Sequence, residues 1–283
     1  MSASQVDVTW PPAVCGLLDA TRRSLVEMLA SVPDPTKPAV GDWSIGETAA
    51  HLCTVTAIDA LVAAGIRAPS HLGPVVDRAT TVSLGEVADM NALTLECEPE
   101  RDAHRLAARI DAHVDAIQAA AADVRWDASV LWLGGLTATP AGVLGHLIAE
   151  MLVHGFDIAR AAGLRYPMSP DAARTFFETF LVDVLESPEI AAFGAGRGAS
   201  ASLSWEVRLR GSVPVAFEVA DGVIRARQAA GRVDVRISAE PIAMLLLMFN
   251  RLSPARAALT GGVRLAGRRP WRVRRLMTLM TMP

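Results

Sequence analysis

Gly145-His146-Leu147-Ile148-Ala149-Glu150-Met151-Leu152-Val153-His154-Gly155-Phe156-Asp157 decides how the rest of the chain is read. Wound as a helix, it sets His146, Glu150 and His154 at i, i+4 and i+8. They then stack on one face, roughly 5–6 Å apart per step. Leu147, Ile148, Met151, Leu152, Val153 and Phe156 surround them. A carboxylate and two imidazoles are costly to bury in such company unless they are paired. The pattern therefore calls for a metal ion or a hydrogen-bonded network. The helix also carries its own boundaries. Thr139-Pro140 supplies an N-cap and a proline at the first helical position, and Gly163 is the residue expected just past the end.

Further helices flank this one. Residues 12–31 repeat Val14, Leu17, Leu18, Leu25, Met28 and Leu29 at helical spacing. Ser44 and Glu47 form a capping box that opens a helix running to about Ile66 and carrying His51. Residues 100–124 are Ala-rich with Leu106, Ile110, Val114 and Ile117 on one face. Residues 70–98 read as irregular or short-helical, and 125–139 as a loop. Four long helices with connecting loops predict an up-and-down bundle whose sites face its core. A further helix is expected over 171–185.

After a Gly-rich stretch over 194–202 the period changes. Leu203 to Arg210 alternates as a half-buried strand does, and strands follow over 213–219, 223–228, 233–237 and 263–266. Asp221-Gly222 is a tight-hairpin signal. Apolar helices are expected over 240–252 and 271–280. The fold class is α+β in two domains: a helical bundle over 1–195, then a smaller α+β domain over 196–283 with an antiparallel sheet.

Bulk composition narrows the function. The apolar content of 51% suffices for a core, and no run of about 18 uncharged apolar residues appears, so no membrane span is expected. No signal peptide is apparent, and Cys15, Cys53 and Cys97 show no CxxC spacing. These features point to a reducing, cytoplasmic setting. Residues 1–200 carry 13 basic and 25 acidic side chains; the rest carries 14 arginines against 5 acids. That asymmetry favours two domains that attract each other. Dispersed arginines, few aromatics and no motif argue against a nucleic-acid partner.

A catalytic zinc-type ion takes three protein ligands and leaves one position open. Glu150 and His154 supply two from one helical turn, and His51, inside a neighbouring helix, is the best third. His71 lies in an irregular stretch, and His104 and His113 sit on a charged helix. His146 lies too far along the row to share one ion with His154, about 12 Å over i to i+8; it belongs in the pocket wall or behind the ligands. Asp157 either orients a ligand or pairs with Arg160. Cys53 points to another face and reads as a buried apolar thiol. The spacing alone fits a hydrogen-bonded core pair as well as a metal site.

Two segments add a resemblance. Trp43-Ser44 through Ala50-His51-Leu52 resembles the W-S/T-x-x-x-x-x-A-H-L segment of the DinB-like bundle family. Glu150-Met151-Leu152-Val153-His154-Gly155-Phe156-Asp157-Ile158-Ala159-Arg160-Ala161 resembles a segment of that family's mycothiol-dependent maleylpyruvate isomerase branch. The resemblance covers about residues 10–190, and residues 203–280 are similar to a sterol-carrier-like domain. It implies metal ligands at His51, Glu150 and His154, a divalent ion with zinc first in line, and mycothiol as co-substrate. The implied activity is a thiol-dependent isomerase or S-transferase acting on an unsaturated acid or other small electrophile. The alternative is a non-enzymatic small-molecule or lipid-binding protein with a structural or vestigial metal site. Substrate and oligomeric state stay open.

Overall fold

The computed structural model of the protein describes residues 12–187, 189–190, 203–220, 223–228 and 231–274. The helical part begins with α1 (Pro12–Ala30), followed by a small hairpin of β1 (Pro38–Val40) and β2 (Trp43–Ser44) that leads into α2 (Ile45–Ala64). The Ser44–Glu47 capping box forms, and Gly65 closes α2 with φ 66°. The stretch expected to be irregular or short-helical holds α3 (Gly73–Ala79) and α4 (Val87–Cys97). Next come α5 (Ala103–Ala120), a hairpin of β3 (Val130–Leu131) and β4 (Thr137–Ala138), and α6 (Pro140–Ala162). Helices α1, α5, α2 and α6 pack in a ring, each against the next. Leu18, Leu25, Leu52, Leu106, Ile110 and Ile148 are among the residues that fill its centre.

Helices α2 and α6 are long and apolar enough by composition to cross a membrane, yet 72% and 83% of their apolar windows are buried inside the protein. They are the central helices of the bundle. Against α6 lies a further helix. It runs from α7 (Pro170–Phe176) through one π turn (Phe177–Leu181) into α8 (Val182–Glu186). It presents Phe176 and Phe180, both fully buried.

The second part is a five-stranded sheet of β5 (Leu203–Leu209), β6 (Val215–Ala220), β7 (Val223–Gln228), β8 (Val235–Ala239) and β9 (Val263–Ala266), in the order β7-β6-β5-β8-β9. Its neighbours are antiparallel except for the central β5/β8 pair, which is parallel. The β6-β7 hairpin occupies one edge of β5, so the chain returns along the other edge, in the direction of β5. Alternation of side chains puts Trp205, Val207, Phe217, Val235 and Ile237 on the covered face, in one continuous core with the helices. On the other face Glu206 pairs with Arg208 and Arg236. Helices α9 (Pro241–Met248) and α10 (Pro254–Leu259) precede β9.

Phe176 meets Phe249 at 5.9 Å, and Arg174 donates to the Arg210 carbonyl at 3.3 Å, so the two parts are packed together. The boundary expected at 195/196, the glycine-rich linker, the Asp221-Gly222 turn and the expected helix beyond residue 274 lie outside the described residues. Before that point, Pro270–Arg272 forms a 3-10 turn.

Candidate metal centre

The row on α6 is set by local chemistry. The Thr139 hydroxyl accepts from the Gly142 amide at 3.0 Å, Pro140 follows it, and Gly163 ends the helix at φ 70°. Two glycines bracket the row because neighbours come too close for a side chain. A Cβ on Gly145 would run into Thr179, and one on Gly155 would stand 2.5 Å from the Tyr166 ring. Helix α2 crosses α6 in the opposite sense, with His51 beside Glu150 and His154, and Asp59 beside His146.

Glu150 is the hub. Its Oε2 lies 3.4 Å from both His51 Nε2 and His154 Nε2, and its Oε1 lies 3.5 Å from His146 Nε2. Burial opposes charge on Glu150, but the three imidazoles outweigh it and hold the carboxyl well below its usual range. Burial also works against charge on His154, yet Asp157 and Glu150 raise it to about 9. His146 is raised to about 10 against burial, chiefly by Asp59, whose own carboxyl burial pushes up. His51 goes the other way: burial lowers it, leaving a neutral ring. Glu150 and His154 keep 12% and 13% of their side-chain surface exposed, so the hub is not wholly sealed from solvent. Trp43 walls it, 5.1 Å from His51 and 6.4 Å from His154 between ring centres.

This donor set fits a divalent ion. The Thr94 hydroxyl gives its hydrogen to the Asn91 carbonyl at 2.7 Å, so towards His51 Nδ1, at 3.3 Å, it only accepts. That arrangement favours a His51 proton on Nδ1, the tautomer that turns the Nε2 lone pair towards the Glu150 carboxylate. A lone pair facing an anion calls for a cation between them. The separations agree. Charge-assisted hydrogen bonds close to about 2.9 Å, whereas ligand atoms about 2.05 Å from a tetrahedral ion stand about 3.4 Å apart. One donor atom each from His51, Glu150 and His154 lies within 4.8 Å of the others. On His154 the second proton occupies Nε2, where a cation would compete with it.

Behind the three donors stand residues from four elements. His146 Nδ1 and Asp59 Oδ2 are 2.8 Å apart, and the indole of Trp132 points at Asp59 Oδ1 at 3.5 Å. Asp157 Oδ2 is 3.5 Å from His154 Nδ1, though not aligned into a hydrogen bond. The same Asp157 receives Nε and Nη2 of Arg251 at 3.0 and 2.7 Å. Arg251 comes from the turn after α9, where Asn250 adopts φ 58°. The local partner for Asp157, Arg160, is engaged elsewhere, donating to the Ala39 carbonyl at 3.0 Å. Here the sequence reading is corrected: the aspartate's cation comes from ninety-four residues away, because α9 packs beside α6 and α7.

His71 lies outside the centre, paired with Glu98 at 3.2 Å. Cys53 is buried and burial pushes its thiol up to about 12, which suits an inert apolar role. Sequence reasoning missed Asp59, Thr94 and Arg251. Asp59 alone left a signal, eight residues after His51 and so on the same face of α2.

Comparison with known proteins agrees with the helical part. Residues 18–159 match the family described as "Mycothiol maleylpyruvate isomerase N-terminal domain". Among solved structures, a mycothiol-dependent maleylpyruvate isomerase aligns at 14% identity and TM-score 0.49, covering 90% of this chain and 93% of that one. A histidine-to-alanine mutant of a mycothiol-dependent maleylpyruvate isomerase aligns at 13% identity and TM-score 0.49, with the same coverage. No curated protein matches the chain. With half of its length matched, including every donor of the centre described above, the chain belongs to the mycothiol maleylpyruvate isomerase family.

Proposed function

We propose that the protein is a metal- and thiol-dependent enzyme of isomerase or S-transferase type, with mycothiol as the thiol and an unsaturated acid or small electrophile as its partner. His51, Glu150 and His154 are the ligands in this reading, and zinc is the first candidate ion. The observation that carries it is the convergence of His51, Glu150 and His154, one ligand atom of each lying within 4.8 Å of the others, with both imidazole Nε2 atoms 3.4 Å from Glu150 Oε2, the spacing of donors around an ion. Family membership supports the thiol.

A divalent ion bound there would lower the pKa of a thiol, so that thiolate exists at neutral pH. The chain's own residues set the conditions. Glu150 brings the one negative charge of the donor set, Thr94 fixes the His51 tautomer, and Asp157 attracts the far side of His154. Trp43 closes one wall and limits water. In the isomerase branch the thiolate adds to one carbon of a conjugated cis double bond, and the electron pair moves onto the conjugated carbonyl. The new single bond rotates. Return of the pair expels the thiolate and leaves the trans alkene, with nothing consumed. In the transferase branch the adduct takes a proton and is released. Arg251 is engaged with Asp157 and the Phe249 carbonyl, so it acts on His154 through Asp157 and not as a free cation for substrate.

The test is metal content by plasma mass spectrometry on the native protein and on His51→Ala and His154→Ala. About one equivalent in the native protein, lost in both folded variants, is expected, followed by thiol-dependent turnover in a screen of unsaturated acids. A folded native protein that stays metal-free when zinc is offered would overturn the reading and leave a binding protein in its place.

A further inference from the structure

Glu150 has two oxygens, and the other two proposed ligands face only one of them. Oε2 turns to His51 and His154; Oε1 turns to His146 Nε2 at 3.5 Å. The other nitrogen of His146 meets Asp59 Oδ2 at 2.8 Å. An imidazole between two carboxylates is favourable only if both its nitrogens donate, since a bare nitrogen would set a lone pair against an anion. Its ring cannot turn to escape this. Trp132 packs edge-on at 4.7 Å and Phe180 at 4.9 Å, and those two rings meet each other at 4.7 Å. Asp59 is in turn fixed by burial, at 2% exposure, and by the Trp132 indole at its second oxygen. The chain Trp132–Asp59–His146–Glu150 is thus a continuous line of donors and acceptors ending on the hub of the centre.

We propose that Asp59 is a positioning residue: through His146 it supplies the donor that holds Oε1 of Glu150 and thereby aims Oε2 at the metal position. Asp59 touches none of the donors itself. Its effect passes through the His146 ring, which the aromatic clamp keeps in line. With an amide in its place, the Nδ1 hydrogen still finds an acceptor, but the ring no longer lies beside an anion. The ring is then aimed less firmly, and the hold on Oε1 of Glu150 loosens with it. The inference rests on the metal reading above and assigns no chemistry to His146 or Asp59.

The experiment is zinc affinity by chelator competition for the native protein, Asp59→Asn and His146→Gln, with the visible absorption of the cobalt-loaded forms recorded alongside. Outer partners of metal ligands are worth about 10–100-fold in affinity, and that loss is expected in both variants. The cobalt bands should also move, because they report the arrangement of the donors, which loss of general stability would leave alone. Zinc affinity and cobalt spectrum unchanged in either folded variant would overturn the proposal while leaving the metal site standing. No zinc binding by the native protein would overturn both. Should one variant fail to fold, the other decides alone.

Discussion

His146 and His154 flank the same glutamate, one turn away on either side, and each has an aspartate behind it, yet they are held by different parts of the molecule. On the His146 side the aspartate, Asp59, comes from α2 and the clamp from Trp132 and Phe180, all of them in the helical part. On the His154 side the aspartate is Asp157 of α6 itself, and its partner, Arg251, arrives from the turn after α9 in the sheet-bearing part. One flank is a rigid interior feature. The other depends on how the second part of the chain docks. A centre built this way feels the packing of the second part through His154 and not through His146, and the following experiments separate the two dependences.

The largest effect is expected at the hub common to both flanks. Glu150→Gln keeps the shape and removes the charge, so the donor set loses its anion and each neighbouring histidine loses the charge that all three share. Zinc affinity should fall by more than the roughly 100-fold that outer partners reach. Titration calorimetry would read it. Retained tight binding would mean that Glu150 belongs to a hydrogen-bonded network and not to the ligand set.

Next in size is Arg251→Ala. It leaves the Asp157 carboxylate buried, with a 1% exposed side chain, without its forked partner. Breaking one side of a buried pair costs roughly 3 kcal/mol. Urea unfolding should show a loss of that order, and zinc affinity should fall as well, because Asp157 is freed from the position that attracts His154. A loss of stability with metal affinity intact would show that the His154 flank is as independent of the second part as the His146 flank.

The flanks should also differ in proton release. In the metal-free protein His154 is raised to about 9 and His146 to about 10, so both are protonated at neutral pH, while His51 is lowered by burial and is neutral. A metal needs the His154 Nε2 lone pair and therefore displaces one proton below about pH 9. Zinc affinity should rise about tenfold per pH unit from 7 to 8.5 and level off above 9. Calorimetry in buffers of different ionisation enthalpy should count about one proton per zinc at pH 7.5. Release of two protons would make His146 a ligand too and erase the difference between the flanks.

What the sequence disclosed follows the range of the forces. The N-caps at Ser44 and Thr139 and the C-terminal Gly163 are local, and they appear where expected. The three donors were legible because two share a helical turn and the third sits at a fixed distance from a capping box. Their supports were not. Thr94 lies on α4, within the stretch that has no clear period, and it reaches His51 only because α4 packs on α2. Arg251 follows α9 in a left-handed turn that no spacing rule anticipates. The parallel β5/β8 pair was missed for the same reason, since strand order is decided by the path of the chain and not by alternation. Asp59 was the avoidable omission, being on the face of His51 and within an apolar helix where a carboxylate requires a partner.

The smallest effect tests the third support, which belongs to neither flank. Thr94→Val keeps the volume and removes the hydroxyl that faces His51 Nδ1. The buried N–H is then unsatisfied, which costs about 1–3 kcal/mol, and the ring can shed that penalty by moving its proton to Nε2. That tautomer points a hydrogen, and no lone pair, at the metal position. Zinc must restore the original tautomer on binding, so its affinity should drop by roughly the same free energy, about fivefold or more. Nitrogen NMR of the imidazole rings would show the tautomer directly in the metal-free protein. A His51 that keeps its proton on Nδ1 in Thr94→Val would mean that Thr94 does not set the tautomer, since Glu150 beside Nε2 favours the opposite one. α4 would then serve His51 only as a wall.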